Sequence, residues 1–179
     1  DDDFKGAGSQ IVKTAPEVFG TSEMIIKVKE PQPQEYPLLR EGQILFTYLH
    51  LAPAPDLTRA LVARGVIGVA YETIQLKDGS LPLLQPMSEV AGRMSIQAGA
   101  HCLEKASGGR GVFLSGVPGV EPGHVMIMGA GIVGKNAAKI ALGMGADVTI
   151  FDIDLDKLRY IDDVWGSRIK TRYSNPLAI

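Results

Sequence analysis

The sequence predicts an α/β fold built on parallel β-sheets, and three observations support that fold class. Short β-rich segments alternate along the chain with segments whose apolar residues have helical spacing. A glycine motif at 129–134 directly follows one β-rich segment and opens a helical one. An aspartate, Asp152, ends the next β-rich segment. Together these features are typical of a β-α-β unit with parallel strands.

The first half of the chain predicts three strands, with a helix between the second and the third. The segment 23–28 is β-rich and stops before Pro31, which cannot donate to a ladder. Segments 44–49 and 66–71 are similar runs. The segment between them has helical spacing and ends at Gly65, a residue typical of helix ends. Its apolar positions are Leu57, Leu61 and Val62.

A long helix opens the second half of the chain. It is expected to begin at Ser88, whose hydroxyl can cap the first turn, and to run to about Lys105. Its apolar face is expected at Val90, Met94, Ala98 and Leu103. We place a domain boundary just before this helix, so that one domain covers residues 1–84 and the other covers 85–179. A connection rich in glycine and proline, 108–122, leads to the next strand.

The most informative motif is the sequence GAGIVG at 129–134, which follows the apolar strand 125–128. In such a motif Gly129 permits a tight turn, Gly131 lets the backbone approach a pyrophosphate, and Gly134 lets the new helix pack closely on the strand. Backbone N–H groups at the helix N-terminus can then bind phosphate. The motif therefore predicts a Rossmann-type sheet that binds a dinucleotide, of which this chain holds only part.

An acidic residue stands where such a site needs one. Asp152 follows the strand predicted at 147–151 and lies eighteen residues beyond Gly134. A carboxylate there accepts hydrogen bonds from the adenosine ribose and repels a 2′-phosphate, which favours NAD over NADP, with FAD formally open. The alternative is that Asp152 caps the helix predicted from about Leu155. A third strand is predicted at 168–173.

Composition narrows the function classes. The 179 residues carry a net charge of −2, which provides no broad field for nucleic acid or an anionic membrane, so a small molecule or a second copy is the expected partner. The single cysteine, Cys102, fits a reducing compartment, and no apolar run is long enough to span a membrane, so a cytoplasmic protein is expected. His101 and His124 lack partners at metal-ligand spacing, so no metal is expected. The opening DDDFKGAGSQ and the closing RYSNPLAI suggest a protein that continues beyond both ends.

Blocks along essentially the whole chain closely resemble those of the L-alanine dehydrogenases. They are MIIKVKEP at 24–31, ILFTYLHLA at 44–52, AYETI at 70–74, LPLLQPMSEVAGR at 81–93, GGRGVFLSGVPGV at 108–120 and GAGIVGKNAAKIA at 129–141. The related transhydrogenase nucleotide-binding subunits share the glycine motif but differ around LFTYLHLA and MSEVAGR. The resemblance implies a cytoplasmic homohexameric enzyme that converts L-alanine, NAD and water reversibly to pyruvate, ammonium and NADH.

The resemblance also implies roles for single residues. His50 matches the family's catalytic histidine, although from the residues alone a hydrogen-bonded core histidine is the alternative. Lys29 matches the lysine that holds the substrate, and is otherwise a solvated surface charge. For the cofactor, the resemblance adds to the glycines and Asp152 the residues Ser88, Ile132, Val133, Lys157 and Ser174. Without the resemblance, Ser88 would be a helix cap, Ser174 a loop residue and Lys157 an exposed charge on a helix.

By the same resemblance, residues 1–84 are an incomplete substrate domain and 85–179 the first half of an NAD-binding domain. The family's early substrate-binding arginine and its later catalytic aspartate have no matching block in this sequence. Two alternatives stay open. One is a transhydrogenase-like subunit that binds NAD without turning over an amino acid, and the other is an inactive fragment of the dehydrogenase.

Overall fold

The chain forms two compact units, each with its own parallel sheet. The computed structural model describes residues 1–177, of which Asp1–Leu84 form the first unit, and the second begins at Gln85. Each sheet has three strands, and all four strand pairings are parallel, which confirms the predicted fold class. Within the described residues, no helix is both long enough and apolar enough to cross a bilayer.

The first unit is a sheet of order β1-β2-β3 with one helical crossover between β2 and β3. Its elements are α1 (Asp2–Gly6), α2 (Ala15–Thr21), β1 (Met24–Ile26), β2 (Ile44–Thr47), α3 (Pro55–Arg64) and β3 (Ile67–Ala70), with 3₁₀ turns at Tyr36–Leu38 and Tyr71–Thr73. Each strand lies within its predicted segment but is shorter, because the segment's ends pass into loops or a 3₁₀ turn. These loops follow the carboxyl ends of the strands.

The core of the first unit lies on one side of its sheet. Leu45 in β2 is fully buried, and Leu57 and Leu61 of α3 pack in the same cluster, one helical turn apart. Val62 was predicted to share this face, and that prediction was wrong: its side chain is 78% exposed. One residue further along a helix turns the side chain about 100° away from the core. Gly65 ends α3 in the left-handed conformation, as the sequence predicted.

The opposite face of this sheet is apolar at its centre and has polar and ionisable side chains at one end. Side chains alternate in a strand, and along β2 and beyond it residues 45, 47 and 49 are buried whereas 44, 46, 48 and 50 are half-buried. Phe46 pairs in register with Ile26 on one side and Val69 on the other. Tyr48 and His50 continue the same row past the strand end. The sheet therefore places His50 at its carboxyl edge, on the less buried face.

The second unit has the sheet order β4-β5-β6, each neighbour reached through a helix. Its elements are α4 (Gln85–Leu103), β4 (His124–Met128), α5 (Ile132–Gly143), β5 (Asp147–Asp152), α6 (Leu155–Trp165) and β6 (Ile169–Tyr173), with 3₁₀ turns at Lys105–Ser107 and Gly166–Arg168. The central strand β5 is almost wholly buried, as expected for a parallel sheet with covered faces. This order is that of one half of a doubly wound dinucleotide-binding sheet.

The start of α4 differs from the prediction. The helix begins at Gln85, so Ser88 lies inside the first turns and is not the N-cap. Pro86 explains the earlier start, because its fixed φ suits the first turn of a helix and its missing N–H would have no partner there. A capping role for Ser88 is therefore excluded by its position.

The predicted apolar face of α4 was wrong at Val90, Met94 and Ala98, which are exposed, and right at Leu103, which packs against the core of the unit. Val90 and Met94 are 60% and 50% exposed, and the buried residues are Gly92 and Ile96. A Cβ added at Gly92 would lie 2.3 Å from the carbonyl oxygen of Val133, so α4 approaches α5 through the residue without a side chain. Apolar periodicity could not locate this face, because the closest contact requires the smallest residue.

Replacing Gly92 by alanine is expected to destabilise the second unit by about 1–3 kcal/mol, because the added methyl would overpack the contact between α4 and α5. The matched control is Gly99→Ala in the same helix, where an added Cβ meets nothing within 4 Å. That variant should be neutral or more stable by up to about 1 kcal/mol, through helix propensity. Urea denaturation of both variants measures the difference, and equal stabilities would show that the helices are not in close contact here.

Candidate active site and dinucleotide site

Three parallel strands of the first unit end at one edge, and each is followed by an ionisable side chain. Lys29 follows β1, His50 follows β2 and Glu72 follows β3. Because carboxyl ends of parallel strands meet at the same edge of a sheet, this is where α/β proteins collect ligand-binding groups. The segments predicted as strands, 23–28 and 44–49, end directly before Lys29 and His50, which agrees with this placement.

Lys29 has an available ammonium group. Its side chain is 74% exposed and its Nζ lies 3.2 Å from Glu30 Oε1, an exposed type of ion pair that contributes at most about 1 kcal/mol. The neighbouring Lys27 is different, because Glu35 holds its Nζ with both carboxylate oxygens at 2.6 Å. The buried hydroxyl of Thr47 lies 3.0 Å from the carbonyl oxygen of Lys29 and fixes the backbone there. Of the two lysines, Lys29 has the more accessible ammonium group.

Glu30 adds a negative charge between these groups. A backbone hydrogen bond within Glu30 is the main cause that lowers the pKa of its carboxyl, and the charges of Lys29 and His50 lower that pKa further. Among the described residues, its Oε2 is the buried side-chain oxygen that lacks a hydrogen-bond partner. Lys29 and His50 are therefore both close enough to Glu30 to interact with its carboxylate.

His50 has an unusual backbone conformation. Its φ is +48°, and it is the non-glycine residue with a positive φ within residues 1–177. Such a conformation costs roughly 1–3 kcal/mol and is common at ligand-binding sites. The imidazole lies parallel to the ring of Tyr48, with 5.9 Å between centroids and 6° between planes, and the Tyr48 hydroxyl donates to the carbonyl oxygen of Leu83. The histidine is thus exposed on one side and supported on the other.

In the second unit, the glycine motif forms the turn between β4 and α5. Gly129 has a φ of +100°, which a side chain would strain. A Cβ at Gly134 would lie 1.8 Å from the carbonyl oxygen of Gly129, so only glycine lets the helix begin this close to the strand. At Gly131 an added Cβ would meet nothing within 4 Å, which leaves open space in front of the backbone. The three glycines therefore differ: Gly129 has a positive φ, Gly131 faces open space and Gly134 allows a close backbone contact.

An open cavity of about 560 Å³ lies against this turn, within the usual range for ligand sites. It brings together six of the residues that the sequence singled out: Ser88, Gly129, Gly131, Ile132, Val133 and Gly134. The N-cap of α5 is Gly131, which has no capping side chain. The first N–H groups of the helix are consequently available to an anion.

Asp152 is tied to the glycine turn. Its Oδ2 accepts a hydrogen bond from the backbone N–H of Ala130 at 2.6 Å, and its Oδ1 accepts one from Asp154 at 2.8 Å. These N–H donors hold the pKa of Asp152 below its usual value, so the carboxylate is charged at neutral pH although only 8% of the residue is exposed. The alternative that Asp152 caps α6 was wrong, because Asp154 is the cap and accepts from Asp156 and Lys157.

Lys157 and Ser174 lie next to Asp152, outside the cavity. The half-exposed Lys157 pairs with Asp154 at 3.4 Å, and its charge also lowers the pKa of Asp152. The backbone N–H of Ser174 donates to the carbonyl oxygen of Asp152 at 2.9 Å, just beyond β6. The nine residues singled out for the cofactor therefore form two groups, one at the glycine turn and one at the carboxyl ends of β5 and β6.

Sequence reasoning missed two residues that shape the first site. Glu72 accepts hydrogen bonds from the backbone N–H groups of Leu49 and His50, and Thr47 binds the carbonyl oxygens of Val28 and Lys29. The signal for Glu72 was present, because an acid directly after a third parallel strand lies at the same edge as His50. No signal marked Thr47, which resembles any β-branched residue of a buried strand.

The remaining histidines have local partners. His124 contacts Asp147 at 3.0 Å, and His101 contacts Glu104 at 3.3 Å. Over the described part of the chain, no group of three or more His, Cys, Asp or Glu side chains could hold a metal ion.

Comparison with known proteins identifies relatives over the full chain. Residues 1–91 match the family model "Alanine dehydrogenase/PNT, N-terminal domain" and residues 95–179 match "Alanine dehydrogenase/PNT, C-terminal domain". An alanine dehydrogenase of Methanococcus maripaludis is 62% identical over all 179 residues, which cover 48% of that protein. This chain thus spans about half the length of the curated relatives it matches.

Two solved structures have the same architecture. An L-alanine dehydrogenase is 52% identical, with a TM-score of 0.82 over 99% of this chain and 49% of its own. A transhydrogenase from Sinorhizobium meliloti is 22% identical, with a TM-score of 0.67 over 96% of this chain and 50% of its own. At that identity, the second comparison supports a shared fold alone.

Proposed function

Because this chain belongs to the alanine dehydrogenase/PNT family, we propose that it is the central part of an enzyme that oxidises L-alanine to pyruvate and ammonium with NAD. The observation that carries the proposal is the presence of Lys29 and His50 at the carboxyl ends of neighbouring parallel strands. Identity of 62% and 54% to two alanine dehydrogenases over the entire chain supports the same reaction. The transhydrogenase shares only the fold at 22% identity.

The glycine turn fits a dinucleotide. A pyrophosphate needs open space at the backbone and free N–H donors, and Gly131 provides both at the uncapped start of α5. The charged Asp152 beside the turn suits ribose hydroxyls and disfavours a 2′-phosphate, so NAD is the proposed cofactor. When bound, NAD supplies the hydride acceptor at its nicotinamide ring.

Eleven residues have proposed roles. The turn and the start of α5 hold the pyrophosphate through Gly129, Gly131, Ile132, Val133 and Gly134. Ser88 lines the same cavity, and the ribose and adenine side is held by Asp152, Lys157 and Ser174. Substrate binding belongs to Lys29 and proton transfer to His50. In this proposal residues 1–84 are substrate domain and 85–179 cofactor domain.

The substrate chemistry follows from two side chains. The Lys29 ammonium binds the oxygens of alanine or pyruvate and stabilises negative charge that develops on a carbonyl oxygen. After the α-hydrogen leaves alanine as hydride, the His50 imidazole accepts a proton from the water that attacks the imine carbon. It then returns that proton to the nitrogen of the carbinolamine and accepts the proton of the new hydroxyl group, so that the carbonyl of pyruvate forms as ammonia leaves.

Asp152 provides a test of cofactor choice. Replacing Asp152 by asparagine removes the charge next to the 2′-position, so the ratio of kcat/KM with NADP to that with NAD is expected to rise by about tenfold or more. The matched control is Asp154→Asn, since asparagine is an equally good helix cap and that residue lies two positions away. If the ratio of kcat/KM with NADP to that with NAD is unchanged in Asp152→Asn, the carboxylate does not select the cofactor. Its role is then limited to the hydrogen bond with Ala130 that holds the turn.

The proposed reaction is tested with the full-length protein that contains these residues. L-alanine with NAD should yield NADH, pyruvate and ammonium in equal amounts, and D-alanine should not. If NADPH reduces NAD and L-alanine does not, the protein is a transhydrogenase-type subunit and the proposal fails. A purified chain of residues 1–179 assayed in parallel measures whether this half is active alone.

The family resemblance extends the proposal to a cytoplasmic homohexamer. The net charge of −2 and the small-molecule reaction are compatible with a partner that is another copy of the same protein. Light scattering of the full-length protein measures its mass in solution. A monomeric mass would contradict this part of the proposal.

A further inference from the structure

The backbone at His50 requires a restraint from elsewhere in the protein. With a φ of +48°, this residue lies in a region that few residues other than glycine occupy, although histidine occurs there more often than most. Such a conformation persists only when the surrounding structure holds it. Ring stacking on Tyr48 orients the imidazole but does not act on the backbone.

Glu72 is the group that contacts this backbone. Its Oε1 accepts a hydrogen bond from the N–H of His50 at 2.8 Å, and both of its oxygens lie 3.2–3.3 Å from the N–H of Leu49. One carboxylate therefore binds two consecutive N–H groups, which fixes the two peptide planes on either side of Leu49 and anchors the chain that leads into His50. Hydrogen bonds between a charged acceptor and N–H donors are about twice as strong as neutral ones.

The placement of Glu72 suits this task. It lies in the 3₁₀ turn Tyr71–Thr73 directly after β3, and β3 pairs with β2 in register up to Thr47 and Ala70. Burial alone would raise the pKa of Glu72, but the N–H donors of His50 and Leu49 outweigh it and keep the group charged. Glu72 thus reaches the end of the neighbouring strand as a charged acceptor on a short, fixed connection.

We propose that Glu72 is a positioning residue, which anchors the backbone that enters His50 and so presents the imidazole to the substrate. This inference rests on the proposed function of His50. Glu72 acts through the backbone of the histidine and touches neither substrate nor cofactor. Its removal should therefore lower the rate of the chemical step without weakening substrate binding.

The test measures kcat and KM in the full-length protein for Glu72→Ala and Glu72→Gln. In Glu72→Ala both N–H groups lose their acceptor, and kcat should fall by about 10²-fold, with KM values for L-alanine and NAD unchanged. Glu72→Gln keeps one acceptor oxygen, so its loss should be smaller. The matched control is Glu23→Gln, an exposed glutamate at the opposite end of β1, which should behave like the unmodified protein.

A double variant separates positioning from an independent role. In a His50→Asn background, Glu72→Ala should cause no further loss of kcat, because the side chain that it positions is already absent. Losses that multiply, a raised KM with unchanged kcat, or a kcat equal to that of the unmodified protein would each overturn the inference. If Glu72→Ala does not fold, kcat is compared instead between Glu72→Gln and the double variant of Glu72→Gln with His50→Asn, and the same outcomes apply. A fully active His50→Asn protein would instead overturn the proposed function.

Discussion

Replacing His50 by asparagine is expected to lower kcat for L-alanine oxidation by about 10²–10⁴-fold, the usual contribution of a group that transfers protons in the reaction. The imidazole lies at the carboxyl end of β2, half-buried and stacked on Tyr48. Asparagine is the suitable replacement because it tolerates a positive φ and cannot shuttle a proton near neutral pH. Steady-state rates of NADH formation measure the loss.

The control for this prediction is His101→Asn, which changes a histidine on the surface of the second unit, paired with Glu104. That variant should keep kcat, and both variants should keep the affinity for NAD and the melting temperature. A His50→Asn enzyme with a rate close to that of the unmodified protein would assign proton transfer to another group. It would also leave the strained backbone conformation of His50 without a functional explanation.

Replacing Gly134 by alanine is expected to abolish NAD binding and to destabilise the second unit by at least about 3 kcal/mol. The added Cβ would lie 1.8 Å from the carbonyl oxygen of Gly129, so α5 would have to move away from β4. That movement would displace the N–H groups of Ile132 and Val133 that line the cavity. Calorimetry with NAD and urea denaturation measure the two effects.

Two other glycines separate binding from stability. Gly131→Ala adds a Cβ into open space at an ordinary φ of −70°, so stability should be kept, while NAD binding should weaken by at least about tenfold, or about 1.4 kcal/mol. Gly143→Ala, at the other end of α5, meets nothing within 4 Å and should change neither property. Normal NAD affinity in Gly131→Ala would place the pyrophosphate elsewhere.

The sequence was sufficient to predict the parts of the fold that follow local rules. β-rich runs alternating with helical spacing predicted two parallel sheets, and the left-handed C-cap at Gly65 followed from glycine's lack of a Cβ. The motif at 129–134 predicted a strand, a tight turn and a helix, which are β4, Gly129 with its φ of +100°, and α5. Each of these features depends on residues close together in the chain.

Features that depend on distant contacts could not be predicted in this way. The buried face of α4 is centred on Gly92 because α5 approaches it there, and no periodicity in α4 alone contains that information. The position of Glu72 after β3 was a signal in the sequence, but its hydrogen bond could not be predicted, because the backbone of His50 lies 22 residues earlier in the chain. The sequence placed Asp152 at the end of a strand, where β5 ends, but its bond to Ala130 and the capping role of Asp154 required the folded turn.

The most direct test of the proposed reaction is the fate of the α-hydrogen of L-alanine. The full-length protein is incubated with NAD and L-alanine deuterated at Cα, and the reduced cofactor is analysed by mass spectrometry. We expect one deuterium in each reduced cofactor molecule, with an equal amount of pyruvate, and transfer by His50→Asn that is slower by about 10²–10⁴-fold. Reduced cofactor that contains no deuterium would contradict the proposed reaction. So would a protein that transfers hydride from NADPH to NAD but does not reduce NAD with L-alanine. Either result would mean that Lys29, His50 and the glycine turn do not form an alanine dehydrogenase.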